Sequence, residues 1–404
     1  MKILVFHQYY ETPDCAGSGR HYAFYLEWAK RHEVTVISTD ALLRRRTTKA
    51  FPLAPPGVTL IPFEIEYDNR MSIRQRLPAF GKYALKAWHT GRKLERPDII
   101  FGTSTPLSAA WAAARVAQAH RVPWVFEVRD LWPDFPVQMG ALRNPLARNA
   151  LYRLERRLYH DAAHVVALSP DMASHVEAKG VPANRVTTVV NGTSFDLSER
   201  WTSKDSQRIR SETGIGSRRV ILYAGTLGRA NAIPTLIETA RRFGDRDDVA
   251  LVFVGYGYHR ESVEQLAKQQ QNVWWMPAES KWKAYRWFEL ADVAIVPFID
   301  RPVLASNSPI KFFDALGAGT PVVVTNPGWT ARLVTTERLG RVVPPEAPAA
   351  LASALTDLLS LSQDQYAALS TRCHTYARTH FDRTTLAKTV ESILKTTASK
   401  PRPH

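Results

Sequence analysis

Cysteine is nearly missing from this chain. Cys15 and Cys373 are its only two thiols, too few for a disulfide framework or for a cysteine metal site. The expectation is chemistry that does not use a thiol. No apolar run approaches the roughly 18 residues that a membrane-crossing helix needs, and the start, MKILVFHQYYETPD, has neither the apolar stretch nor the cleavage site of a secretory signal. The expectation is a cytoplasmic protein. GxxxxGK[ST] and HExxH are absent, as is an Asp-x-Asp at a strand end, so no metal or other cofactor is implied. Zinc-finger spacing and RNA-recognition signatures are also lacking, and nucleic acid is not an expected partner.

Acidic residues are in short supply. Thirty-eight acids face 53 bases, a net charge of +15, within an ordinary globular composition of 45% hydrophobic and 10% aromatic residues. The excess is concentrated. Between Arg70 and Arg96 stand eight basic residues and one acid, Glu95, while Ile73, Leu77, Phe80, Ala84 and Trp88 recur at helical spacing. A basic helix with an apolar stripe reads either as a peripheral membrane element over 70–96 or as a helix packed on its own domain with a solvated basic face. Pro78 is expected to start that helix or break it.

At 404 residues the chain is long for one core and suits two domains. Short β-branched runs alternate with helical patterns almost throughout. Lys2–Phe6, Val34–Ser38, Val58–Pro62, Asp98–Phe101, Trp124–Val128, His164–Leu168 and Val186–Val190 read as buried strands of a first half. Around Asn191 to Ser217 the rhythm stops. It restarts with Val220–Tyr223, Val249–Val254, Val273–Met276, Val293–Pro297, Val322–Thr325 and Arg341–Val343. The fold class is therefore α/β, two mostly parallel doubly wound sheets, with a helical segment from Pro345 and a tail, TTASKPRPH, expected to be disordered.

The stretch from Leu304 to Asn326 carries the clearest chemistry. Ser308 suits an N-cap and Pro309 a first helical position, with Gly317, Gly319 and Pro321 closing a helix of barely three turns. The free N–H groups of the first turn would face an anion at the mouth formed by Ser308, Pro309 and Ile310, with the Lys311 charge beside them. Asp314, three residues on, could accept two hydrogen bonds from a ribose diol. Phosphate plus ribose means nucleotide. The alternative is a capped surface helix with Lys311 and Asp314 in solvent.

Each half also opens on a glycine-bearing loop. Gly17 and Gly19 follow the first strand; Gly225 and Gly228 follow Val220–Ala224, with Arg229 next to them as a clamp for a diphosphate. Singly, such glycines can be turn-formers only. Gly17, Gly19 and Asp40 imitate a dinucleotide fingerprint, but Tyr22 occupies the third glycine position and the loop is too long, which argues against a dehydrogenase.

Taken together, SPIKFFDALGAGTPVVVTN, YAGTLGRAN, VVALSPDM, VTTVVNGTSFD and FEVRDLWPDFPVQMG resemble the family 4 glycosyltransferases of the GT-B fold. The likeness is to bacterial enzymes that add sugars such as acetamido-fucose to surface polysaccharide or glycolipid precursors. It implies two Rossmann-like domains facing a cleft: an acceptor domain, 1–195; a nucleotide-sugar domain, 196–380; and a carboxyl-terminal helix with a tail, 381–404, crossing back. It also implies a UDP-linked donor, a glycan or polyprenyl-linked acceptor, and retaining transfer without a metal.

In that resemblance Arg229 and Lys311 correspond to the pair that holds the donor diphosphate, and Asp314 to the second Glu of an E-x7-E motif. Ser306 stands where the first Glu would be. Ser306 or Asn307 would then meet the sugar, and Arg129 and Asp130, after Trp124–Val128, would line the cleft. An inverting mechanism would need Asp130 or Glu127 as base, and sequence leaves open whether Glu127 and Arg129 share a face. The loop after Trp274–Met276 is the candidate base contact. A nucleotide-sugar epimerase and a non-catalytic nucleotide-binding subunit are the competing readings.

Overall fold

The computed structural model describes residues 1–17, 19–67, 71, 73–198, 203–244 and 246–399. Arg70, the middle of the 191–217 connection at 199–202, and the end of the tail at 400–404 lie outside the described residues. Two compact units form, Met1–Val190 with the segment from Arg383, and Asn191–Asp382.

In the first unit seven parallel strands, β1 Lys2–Phe6, β2 Glu33–Thr39, β3 Val58–Phe63, β4 Ile99–Thr103, β5 Trp124–Val128, β6 His164–Ala167 and β7 Val186–Thr188, are ordered 3-2-1-4-5-6-7. The second unit holds six, β8 Arg219–Ala224, β9 Val249–Val254, β10 Val273–Met276, β11 Val293–Val296, β12 Val322–Val324 and β13 Gly340–Val342, ordered 10-9-8-11-12-13. All pairings are parallel. The two parallel sheets expected from the apolar runs are both present. Such sheets are covered on both faces, which is why β4, β5 and β9 are buried at every position.

Each order reverses beside the strand that opens its sheet, between β1 and β4 and between β8 and β11. Loops leaving adjacent strands in opposite directions open a crevice there, at the carboxyl ends. This is the feature of the fold that positions a site.

Packing follows from side-chain size. The alanine-rich helix Leu107–His120 approaches β4 so closely that a β-carbon on Gly102 would come within 2.6 Å of Ala113 Cβ. Helix Arg383–Ala398 belongs to the first unit. It buries Ala387, Val390 and Leu394 with Trp28 and Phe24, and the Ala387 carbonyl accepts from Trp28 Nε1 at 2.9 Å. Arg31 adds two bonds to Glu391, at 3.0 and 2.6 Å.

Pro78 neither starts nor breaks its helix, which runs unbroken from Ile73 to Gly91. Near the amino end a proline forfeits one backbone bond, and Pro78 sits on the exposed side. The apolar stripe seen in the sequence largely faces inward. Ala84 is buried, Phe80 stacks edge-on to Trp132 and Trp88 to Trp111. Solvent meets Leu77 of that stripe, and Leu85, 57% and 59% exposed, beside exposed Lys82 and Lys86.

Candidate functional site

In the second unit the loops after β8 and β9 lie backbone against backbone. Gly225 N donates to Val254 O at 2.9 Å, Leu227 N to Tyr256 O at 3.0 Å and His259 N to Leu227 O at 2.9 Å. Gly255, at φ +154°, permits this, because a β-carbon there would come within 1.9 Å of the Gly225 carbonyl oxygen. The result is a rigid, side-chain-poor rim at the switch point of the sheet.

The helix Ile310–Gly317 rises beside that rim, on the chain leaving β11. Lys311 reaches back across it: its ammonium donates to Tyr223 Oη at 3.2 Å and Asn231 Oδ1 at 3.1 Å, and lies 4.3 Å from the Tyr223 ring centre. None of these partners is anionic. Burial therefore dominates and lowers the Lys311 pKa to about 7. A cation with neutral hydrogen-bond partners, against glycine backbone, is ready for an anion. Arg229 begins the short turn Arg229–Asn231 after the same loop, exposed, its guanidinium 4.1 Å over the Tyr258 ring.

The structure thus brings Gly225, Gly228, Arg229 and Lys311 to one strand edge. Other sequence candidates take different parts. Ser308 is not the N-cap; Pro309 holds that position and no side chain caps the helix. Ser308 is turned inward, its hydroxyl accepting from Asn191 N at 3.3 Å and its carbonyl from Asn191 Nδ2. Gly317 and Gly319 close the helix as expected in kind, with Gly319 left-handed at φ +79°, but after eight residues.

Asp314 is not poised for a ribose. It is 2% exposed, ion-paired to Lys281 and bonded to Thr193 Oγ1 at 3.0 Å. Partners, not helical spacing, part it from Lys311, whose ammonium bonds Tyr223 and Asn231 at the rim while Asp314 is taken by Lys281 in the core. Ser306 is likewise buried and donates to Val303 O at 2.8 Å, which removes it as a sugar contact. Asn307 is half-buried, its carbonyl accepting from Trp329 Nε1 at 2.7 Å; Pro309 and Ile310 are half-buried at the helix mouth.

Gly17 and Gly19 belong to the first unit, apart from the Lys311 rim in the fold's division. Their niche is filled from within: a β-carbon on Gly17 would meet the Glu11 carboxylate at 1.7 Å, and Gly19 N donates to Glu11 Oε1 at 3.4 Å. An internal carboxylate stands where the close approach of a ligand was expected.

At the end of β5, Glu127 and Arg129 share a face. Glu127 is fully buried, accepting from Arg20 at 3.2 and 3.1 Å and from His21 Nε2 at 2.6 Å. Burial alone would raise its pKa, but His21 and Arg20 outweigh that and bring it to about 2. Sealed from solvent and held ionised, Glu127 is removed as a base for substrate. Arg129 donates to His7 Nε2 at 3.1 Å, and its backbone N–H to Ser104 Oγ at 3.0 Å. Asp130 accepts from Thr105 Oγ1 at 2.6 Å, and burial raises its pKa.

One trio among the described residues, Asp134, Glu155 and His175, has metal-ligand types within reach of one another. His175 Nε2 lies 3.1 Å from Glu155 and 3.7 Å from Asp134, and the Lys179 ammonium 3.8 Å from Glu155 Oε2. The cluster carries its own cation.

Two family descriptions match the chain, Glycosyl transferase 4-like domain over residues 20–192 and Glycosyl transferases group 1 over 218–361. The chain belongs to the family 4 glycosyltransferases. WcaI of Escherichia coli K12, named for glycosyl transfer in colanic acid biosynthesis, is 22% identical over 346 residues, 82% of this chain and 84% of that protein. Among solved structures, Anabaena HepE in complex with UDP-glucose matches 98% of this chain and 100% of its own at a TM-score of 0.69 and 16% identity. A protein from Listeria monocytogenes described as a UDP-N-acetylglucosamine 2-epimerase shares the fold too, TM-score 0.63 at 14% identity over 100% of this chain and 98% of that one.

For this glycosyltransferase, sequence reasoning missed Tyr223 and Asn231, which hold Lys311, and Gly255 and Gly257, which seat the rim. The run GYGY after β9 was a legible signal for the glycines. Nothing local marks Lys281, whose partner is 33 residues away.

Proposed function

We propose that the enzyme transfers a sugar, with retention and without a metal, from a UDP-linked donor to a glycan or polyprenyl-linked acceptor of surface polysaccharide synthesis. The observation that carries this reading is the Lys311 ammonium laid against the glycine rim at the β8/β11 switch point, with Arg229 on the same loop. Both groups stabilise charge on a departing diphosphate, the task a divalent ion performs elsewhere. As the bond from the anomeric carbon to the diphosphate breaks, an acceptor oxygen bonds to that carbon on the same face, and its proton passes to a departing phosphate oxygen. Support for the nucleotide comes from HepE, solved with UDP-glucose, and for the pathway from the name of WcaI. Arg129 and Asp130 are the acceptor-side groups of the first unit.

In EDTA, UDP should bind and transfer proceed undiminished, and the product should keep the donor's anomeric configuration by NMR. Inverted product would turn the mechanism to Asp130 as base; turnover of the nucleotide-sugar with no acceptor present would replace transfer by epimerisation.

We also place the acceptor at an anionic membrane surface. No helix among the described residues is long and apolar enough to cross a membrane. Leu77 and Leu85, two turns apart on the helix Ile73–Gly91, with Lys82 and Lys86 between and beside them, form a face suited to lying on one. Vesicles rich in anionic lipid should bind the enzyme and release it with salt. Lys82→Glu with Lys86→Glu should abolish the binding; unchanged binding would remove this placement.

A further inference from the structure

Arg229 is exposed and long, a side chain with much rotamer freedom to lose when it grips a ligand. Among the described residues it has no carboxylate partner. Its guanidinium instead lies 4.1 Å over the ring of Tyr258, itself 67% exposed. An exposed tyrosine on a loose loop would be no anchor, but this loop is pinned. Tyr256 O and His259 N, on either side, are bonded to the two backbone groups of Leu227 at 3.0 and 2.9 Å. Gly257 leaves no room between them, since a β-carbon there would come within 2.7 Å of the Leu227 backbone. Leu227 lies two residues before Arg229, so ring and guanidinium are carried by one rigid pair of loops.

We propose that Tyr258 is a positioning residue: its ring holds the Arg229 guanidinium at the diphosphate end of the donor site before the donor arrives. The inference rests on the reading of Arg229 as a diphosphate ligand. A cation above an aromatic face is attracted by the ring's quadrupole and keeps all its N–H donors free at the edge, so stacking orients the group without consuming the bonds that a phosphate needs. A carboxylate partner would orient it equally well and cancel its charge. The hydroxyl of Tyr258 has no part in this, which separates positioning from direct contact with the ligand.

UDP is the probe, titrated calorimetrically into the full-length enzyme. Tyr258→Ala should weaken binding by about two- to fivefold, the worth of an exposed cation–π contact. Tyr258→Phe, which keeps the ring, should restore what Tyr258→Ala loses. In the Arg229→Ala background Tyr258→Ala should add nothing, because the group it orients is gone. Equal losses in both backgrounds, or a loss in Tyr258→Phe as large as in Tyr258→Ala, overturn the proposal. If Arg229→Ala weakens UDP binding while Tyr258→Ala leaves it intact, the positioning role falls and the donor site stands. If Arg229→Ala is without effect, the diphosphate reading itself fails.

Discussion

Titrated with UDP at about pH 8.5, well above the reference midpoint of an imidazole, the enzyme should take up close to one proton as the nucleotide binds. Lys311 is the source of that linkage. In the empty site its pKa is about 7, lowered by burial, so the side chain is mostly neutral there at that pH. A diphosphate favours the ammonium and raises the pKa again, so the bound state holds more protons than the free one. Affinity must then be highest below pH 7 and fall as pH rises toward the bound-state pKa, by up to about tenfold per unit. Calorimetry in two buffers of different ionisation enthalpy reads the uptake directly. Lys311→Arg, charged throughout, should flatten the pH profile, and Lys311→Ala should remove about 1.5–3 kcal/mol of charge-assisted bonding, a loss of roughly 10- to 150-fold. Proton uptake that persists in Lys311→Arg would assign the linkage elsewhere.

The second large effect is on stability, at Asp314. Its carboxylate and the Lys281 ammonium are 3% and 5% exposed. Removing either partner leaves a buried charge alone, a loss of about 3–5 kcal/mol. Asp314→Ala and Lys281→Ala should therefore lower the unfolding midpoint of the second unit by similar amounts, followed by scanning calorimetry that resolves the two units. A joint replacement, Lys281→Met with Asp314→Leu, should recover most of that loss, because both charges leave together. A ribose ligand would behave oppositely. Asp314→Ala would then keep the midpoint and lose only UDP affinity, and that result would restore the residue to the nucleotide pocket.

These two residues, three apart on one helix, show what a sequence reading can place and where it stops. The position of Lys311 beside Gly225 was legible because it is topological: Lys311 follows β11, Gly225 follows β8, and adjacent strands at a switch point bring their trailing loops together whatever the intervening chain does. Asp314 was misread because its meaning is a partner. Lys281 comes from the helix Lys281–Leu290 and Thr193 from the segment after β7, and no periodicity connects them. Gly17 and Gly19 failed in the same way, since Glu11 fills their niche. Ser308 has the chemistry of a cap but is engaged by Asn191 from far along the chain.

The helix Ile73–Gly91 adds a subtler case. Its apolar residues fall at helical spacing on more than one line, and the stripe Ile73, Leu77, Phe80, Ala84 and Trp88 was read from sequence. Packing on β2 and on the helix Leu107–His120, with Tyr83, Ala84 and Ala87 buried, turns most of that stripe inward and leaves its Leu77 outside, with Leu85. Composition could not choose which line faces water.

By itself the sequence determined the two parallel sheets, because strands buried on both faces must be written as short continuous apolar runs separated by helical patterns. It also determined the family, which rests on motifs in combination, and the positions of Arg229 and Lys311, which follow from strand order. Only the tertiary structure decided which polar side chains remain for a ligand. That choice depends on long-range partners, Lys281 for Asp314, Asn191 for Ser308, Arg20 and His21 for Glu127, and a buried charge is taken by whichever opposite charge folding brings near.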